Sequence, residues 1–257
     1  MRIGGFEVRG LLIDLDGVLY VGRRPIEGAA EKLQELSDRG LPWRLLTNTT
    51  TRTRSALAED LRALGFEVSV DQISTAPMAA VRYLKQRGIT RCKLLLAPEV
   101  SAELGLRVAE RNADAVVIGD IGPKWNYDLL NEAFRELIEG AELVALHRNR
   151  FWQTEQGLML DIGAFIAGLE YATGQGAHVV GKPSPAFFQS AVDAMGLQPN
   201  QVAMIGDDIE SDVGGAQALG MRGILVRTGK YRREFAELSR TRPSLTIDSF
   251  AHLTIDD

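Results

Sequence analysis

One cysteine in 257 residues, Cys92, rules out an intrachain disulfide and any zinc site built from several thiolates. Its apolar neighbours Leu94-Leu95-Leu96 mark it as a structural thiol rather than a nucleophile. Histidine is scarce as well, and His178 and His252 show no metal-binding spacing. Positive charge is in deficit: 29 Lys and Arg against 34 Asp and Glu give a net charge of −5. That balance argues against a nucleic-acid partner, which would select a basic face. No stretch approaches the ~18 to 20 apolar residues of a membrane span. Met1-Arg2-Ile3-Gly4-Gly5 begins no signal-peptide apolar core. These absences lead us to expect a soluble, cytoplasmic protein with neither a membrane nor a nucleic-acid partner.

What is present is an ordinary globular composition, 45% hydrophobic and 25% charged, with length for one large or two modest domains. The first third alternates apolar strand runs with amphipathic helix patterns. Val8 to Ile13 reads as a buried strand, and Ile26, Ala29, Leu33 and Leu36 share one helical face closed by Gly40. Leu41 to Leu46 reads as the next strand, followed by a helix carrying Leu57, Leu61 and Leu64. The last third repeats this grammar: Val179-Val180, a helix over 185–195, a strand over 202–205, a small-residue helix over 211–219, and a strand over 223–226. Short connections of this kind imply parallel strands with crossover helices. The middle carries separate strand patterns at 93–96, 115–118, 143–146 and 158–160, with a helix over 127–138. We therefore expect an α/β chain with a doubly wound, parallel-sheet, Rossmann-like core (residues 1–76 and 178–257). An α/β cap domain is inserted at 77–177.

Four short segments each follow an apolar run. Asp14-Leu15-Asp16-Gly17 comes first, then Thr47-Asn48, Lys182-Pro183, and Gly206-Asp207-Asp208 with Asp212. Two carboxylates one residue apart at a strand's C-terminal end can act as nucleophile and acid/base on one face. Taken singly, each segment has a plain structural alternative. Asp14 and Asp16 could be a turn pair, Thr47-Asn48 a turn, Lys182 a surface cation, and the later aspartates an acidic helix start. Their order and their shared position after apolar runs argue for one phosphate-handling site.

Together the four segments resemble the motifs of the haloacid dehalogenase superfamily, and the long insert resembles its subfamily with a large α/β cap. Gly181-Lys182-Pro183-Ser184-Pro185 and the run from Gly206 to Ala216 are similar to the branch that holds the phospholysine/phosphohistidine/inorganic pyrophosphate phosphatase. The resemblance implies a Mg²⁺-dependent phosphatase acting on a small phosphorylated substrate, either a phosphate monoester, a phosphoramidate or pyrophosphate. It makes Asp14 the nucleophile, forming an aspartyl-phosphate, and Asp16 the acid/base. Mg²⁺ would be held by Asp14, Asp16 through its carbonyl, and Asp207, with Asp208 and Asp212 holding metal-bound waters. Thr47, Asn48 and Lys182 would bind phosphate. Related proteins also point to a homodimer through the cap. Phosphomutases share the fold, and a non-catalytic phospho-ligand-binding protein could use the same pocket. Within the insert, the His147-Arg148-Asn149-Arg150-Phe151-Trp152 segment could face the leaving group or be a polar connection. Asp161 reads as a cap for the helix after it.

Overall fold

The computed structural model describes residues 1–154 and 157–256. The chain divides into two compact units, one of Met1–Thr47, Arg54–Ser74 and Lys182–Asp257, the other of Asn48–Thr53 and Thr75–Gly181.

The first unit is built on a six-stranded sheet: β1 (Gly10–Ile13), β2 (Trp43–Thr47), β3 (Ile73–Thr75), β4 (Val202–Gly206), β5 (Arg222–Val226) and β6 (Leu245–Ile247). Their spatial order is β6-β5-β4-β1-β2-β3. Neighbours from β6 to β2 pair in parallel, with Ile13 facing Ile205 on one side and Leu45 on the other. The chain winds outward from β1 in one direction, then returns to β4 and winds the opposite way. The reversal lies between β1 and β4, where doubly wound sheets open a crevice beyond the strands' C-terminal ends. β1 and β4 are buried at every residue, because helices and loops cover both faces of a parallel sheet. Leu11, Ile13, Leu45, Ile205 and Ile224 form one core with Leu33 and Leu36 of the helix Ala29–Asp38.

The second unit holds its own five-stranded parallel sheet, ordered His178–Val179, Glu142–Ala145, Ala115–Ile118, Arg91–Leu95, Arg107–Val108. Separate apolar clusters cover its two faces. The short strand expected before Lys182 therefore pairs with Glu142–Ala145, not within the six-stranded sheet. Residues 158–160 form a strand as expected, Gly157–Leu160, but it pairs antiparallel with Phe151–Thr154 outside the five-stranded sheet, and Leu158 and Leu160 are 59% and 65% exposed. An apolar run this short does not enforce burial. Tyr127, at the start of the helix Tyr127–Ile138, is also exposed, whereas Ala133 and Leu137 are buried. Among the described residues no helix is long and apolar enough to cross a membrane.

Candidate active site

Asp14 is the first residue past β1, and its amide continues the ladder by donating to the Ile205 carbonyl at 2.9 Å. Its side chain is buried and meets Lys182 Nζ at 2.7 Å. Lys182 Nζ stands equally 2.7 Å from Asp212 Oδ1, so one buried ammonium bridges two buried carboxylates. Burial alone would lower the lysine's pKa, but the carboxylates of Asp14 and Asp212 outweigh it and hold the proton on.

Asp207 follows β4 directly. Its Oδ2 accepts the Lys230 backbone N–H at 2.6 Å, while Oδ1 is buried without a hydrogen-bond partner among the described residues. Burial, then the charges of Asp14 and Asp212, raise the Asp207 carboxyl well above the usual carboxylate range. Burial likewise pushes Asp212 up to about 7, against the pull of Lys182. Asp14, Asp207 and Asp212 each present an oxygen within 4.8 Å of the others. An orphaned buried oxygen within a set of hard oxygen donors fits a cation such as Mg²⁺.

Asp16 remains exposed to solvent. Loss of solvation raises its carboxyl, against Lys230, Lys182 and a hydrogen bond with Tyr20. The turn between Asp16 and Tyr20 is closed by the Gly17 amide donating to the Tyr20 carbonyl at 2.7 Å. Gly17 has φ +83°, and a Cβ there would lie 1.9 Å from Asp207 Oδ2, so only glycine lets the two motifs meet this closely. Gly229 (φ +59°) approaches from a third side, where a Cβ would lie 2.1 Å from the same oxygen.

The remaining expected residues have different fates. Thr47 ends β2 two residues beyond the Leu45–Ile13 pair, buried at the same sheet edge. Asn48 falls in the second unit, where its Oδ1 would lie 2.5 Å from a Cβ on Gly181. Asp208 caps the wide turn Ile209–Gly214, its Oδ1 accepting the amides of Glu210 and Ser211 at 3.0 and 2.9 Å. That cap lets Asp212 turn back so that its Oδ2 accepts the Asp208 amide at 3.1 Å. In the second unit, His147 is buried 3.9 Å from Asp161, and Arg148 pairs with Glu170 at 2.7 Å. Asp161 Oδ1 accepts the Ile162 amide at 2.7 Å, at the start of the helix Gly163–Thr173. The Trp152 side chain lies outside the described residues. Sequence reasoning passed over Tyr20 and the segment 228–230. The latter had a signal: it follows β5, whose strand pattern was legible.

Known proteins resemble this chain over nearly its whole length. The haloacid dehalogenase-like hydrolase model matches residues 11–106, and a second model, of HAD-hydrolase-like sequences, matches residues 179–253. The chain is 43% identical over 250 residues to the phospholysine phosphohistidine inorganic pyrophosphate phosphatase of Danio rerio, covering 95% of this chain and 90% of that one. It is 41% identical over 246 residues to the human haloacid dehalogenase-like hydrolase domain-containing protein 2, with 95% and 94% covered. A p-nitrophenyl phosphatase from Archaeoglobus fulgidus superposes with a TM-score of 0.89 at 30% identity, covering 95% and 97% of the two chains. With relatives more than 40% identical over nearly its whole length, the chain belongs to the haloacid dehalogenase-like hydrolase family.

Proposed function

We propose that this chain is a Mg²⁺-dependent phosphatase that hydrolyses a small phosphorylated substrate through an aspartyl-phosphate on Asp14. The observation that carries the reading is the buried Asp14 carboxylate, held by Lys182 at the sheet's reversal point beside Asp207 and Asp212. The names of the similar proteins, phosphatases of p-nitrophenyl phosphate and of phospholysine, phosphohistidine and pyrophosphate, support the same chemistry.

Asp14 would attack phosphorus, its carboxylate held in place by Lys182 Nζ. Asp16, whose raised carboxyl favours carrying a proton, would protonate the departing oxygen. The same side chain, then ionised, would take a proton from the water that attacks the aspartyl-phosphate. Lys182 and Thr47 would bind the phosphoryl oxygens, and Asn48 would donate to them through its amide. Asp14, Asp207 and the Asp16 carbonyl would hold Mg²⁺, with Asp212 supporting, and the bound ion would neutralise charge on the phosphoryl oxygens. Substrate selection falls to the inserted unit, residues 77–177 in our sequence reading.

The direct test is Asp14→Asn with p-nitrophenyl phosphate. Removing a covalent nucleophile raises the barrier by several kcal/mol, so turnover should fall below about 1% of wild type with circular dichroism unchanged. Chelation should silence the wild-type enzyme and Mg²⁺ restore it. A variant that keeps turnover removes Asp14 from the role of nucleophile.

A further inference from the structure

Two lysines serve this site, and they are held differently. Lys182 Nζ is committed to Asp14 and Asp212, each at 2.7 Å. Lys230 is fixed through its backbone, which donates to Asp207 Oδ2 at 2.6 Å. The residues before it clamp the Asp16-Gly17 turn: the Thr228 hydroxyl donates to the Gly17 carbonyl, and a Cβ on Gly229 would lie 2.4 Å from Gly17 Cα. Residue 230 is thus set beside Asp16, yet its ammonium makes no ion pair among the described residues. Its charge still reaches Asp207, Asp14 and Asp208, and it acts on Asp16 more strongly than Lys182 does.

We propose that Lys230 is a specificity-determining residue that meets the substrate's leaving group and selects those carrying an anionic oxygen next to the scissile bond, a second phosphoryl group being the smallest. The assignment follows from the division of labour. Lys182 is bound to the nucleophile and so stands at the phosphoryl group being transferred. Lys230 stands by Asp16, where the departing oxygen must be protonated. The inference rests on the phosphatase reading above.

The test compares two ligands that need no turnover: orthophosphate and imidodiphosphate, a non-hydrolysable diphosphate. Both are titrated calorimetrically at one fixed free Mg²⁺ concentration into wild type, Lys230→Met and Lys230→Arg. The preference for imidodiphosphate over orthophosphate should fall about tenfold in Lys230→Met and survive within about threefold in Lys230→Arg. An unchanged preference in Lys230→Met, or equal weakening of both ligands, overturns the proposal. Should Lys230→Met fail to fold by circular dichroism, Lys230→Gln carries the same comparison. Turnover of p-nitrophenyl phosphate by the wild type is scored separately, so failure of the phosphatase reading and failure of this one give different results.

Discussion

At the scale of single residues, the site is a problem of charge. Three buried carboxylates lie together and one ammonium bridges only two of them, while Asp207 and Asp212 have raised pKa values because burial and carboxylate repulsion both favour the protonated form. Without a cation this arrangement opposes folding. Asp207→Asn should therefore raise the thermal midpoint of the chelated protein, by about 3 °C or more for each kcal/mol relieved, and abolish the stabilisation that Mg²⁺ brings to wild type. Differential scanning fluorimetry with and without Mg²⁺ reads both effects, and a lower midpoint in chelator would contradict the repulsion. Lys182→Met should act in the opposite sense. It leaves Asp14 and Asp212 buried without their common partner, and removing one side of a buried ion pair costs about 3 to 5 kcal/mol. Urea denaturation measures that loss.

At the scale of elements, the regular parts were legible and the irregular ones were not. Ala115–Ile118 is a strand over the residues expected, because a parallel strand buried on both faces is a continuous apolar run. Tyr127–Ile138 also matches its expected span; its Asn126 cap accepts the Leu129 amide at 3.0 Å. Residues 211–219 were expected as one helix. They do lie in a continuous helical stretch, but it is π-type over Ile209–Gly214 and α only over Gly215–Ala218, with Asp212 turned back toward Lys182. No residue pattern encodes that swing. Tyr20 escaped notice because its role depends on a turn with no spacing that repeats, whereas Lys230, shortly after β5, had the signal of an apolar strand before it. Asp14 and Asp207 end apolar strands too, and gained weight from the order of all four segments. The Asp208 cap makes a specific prediction. Asp208→Ala should cost about 1 kcal/mol, and Asp208→Asn much less, because asparagine caps nearly as well. Equal losses in chemical denaturation would deny the capping role. Gly229→Ala carries a heavier penalty, since the left-handed backbone and the 2.1 Å approach to Asp207 both forbid a side chain. We expect a lowered thermal midpoint and a fall in kcat of tenfold or more, measured on p-nitrophenyl phosphate.

At the scale of the whole molecule, two units carry separate apolar cores and separate sheets. A metal bound by the first unit stabilises the residues that hold it. Hydrogen exchange should therefore slow on adding Mg²⁺ around 14–18, 206–213 and 228–231, with little change across 91–95 and 115–118. Protection confined to the second unit would move the metal site away from Asp14, Asp207 and Asp212.

The order of strands also sets a timetable. β1 lies at the centre of the first sheet, but its neighbour β4 begins only at Val202. At about 5 to 20 residues per second, a ribosome needs roughly 10 to 40 s to pass from Asp14 to Asp207. All of Thr75–Gly181 is synthesised in that interval. Until β4 emerges, one edge of the fully buried strand β1 is open, and Asp14 waits first for Lys182 and then for Asp207. The emerging chain thus carries an unpaired apolar strand edge, and the proposed catalytic centre is among the last features of the protein to form.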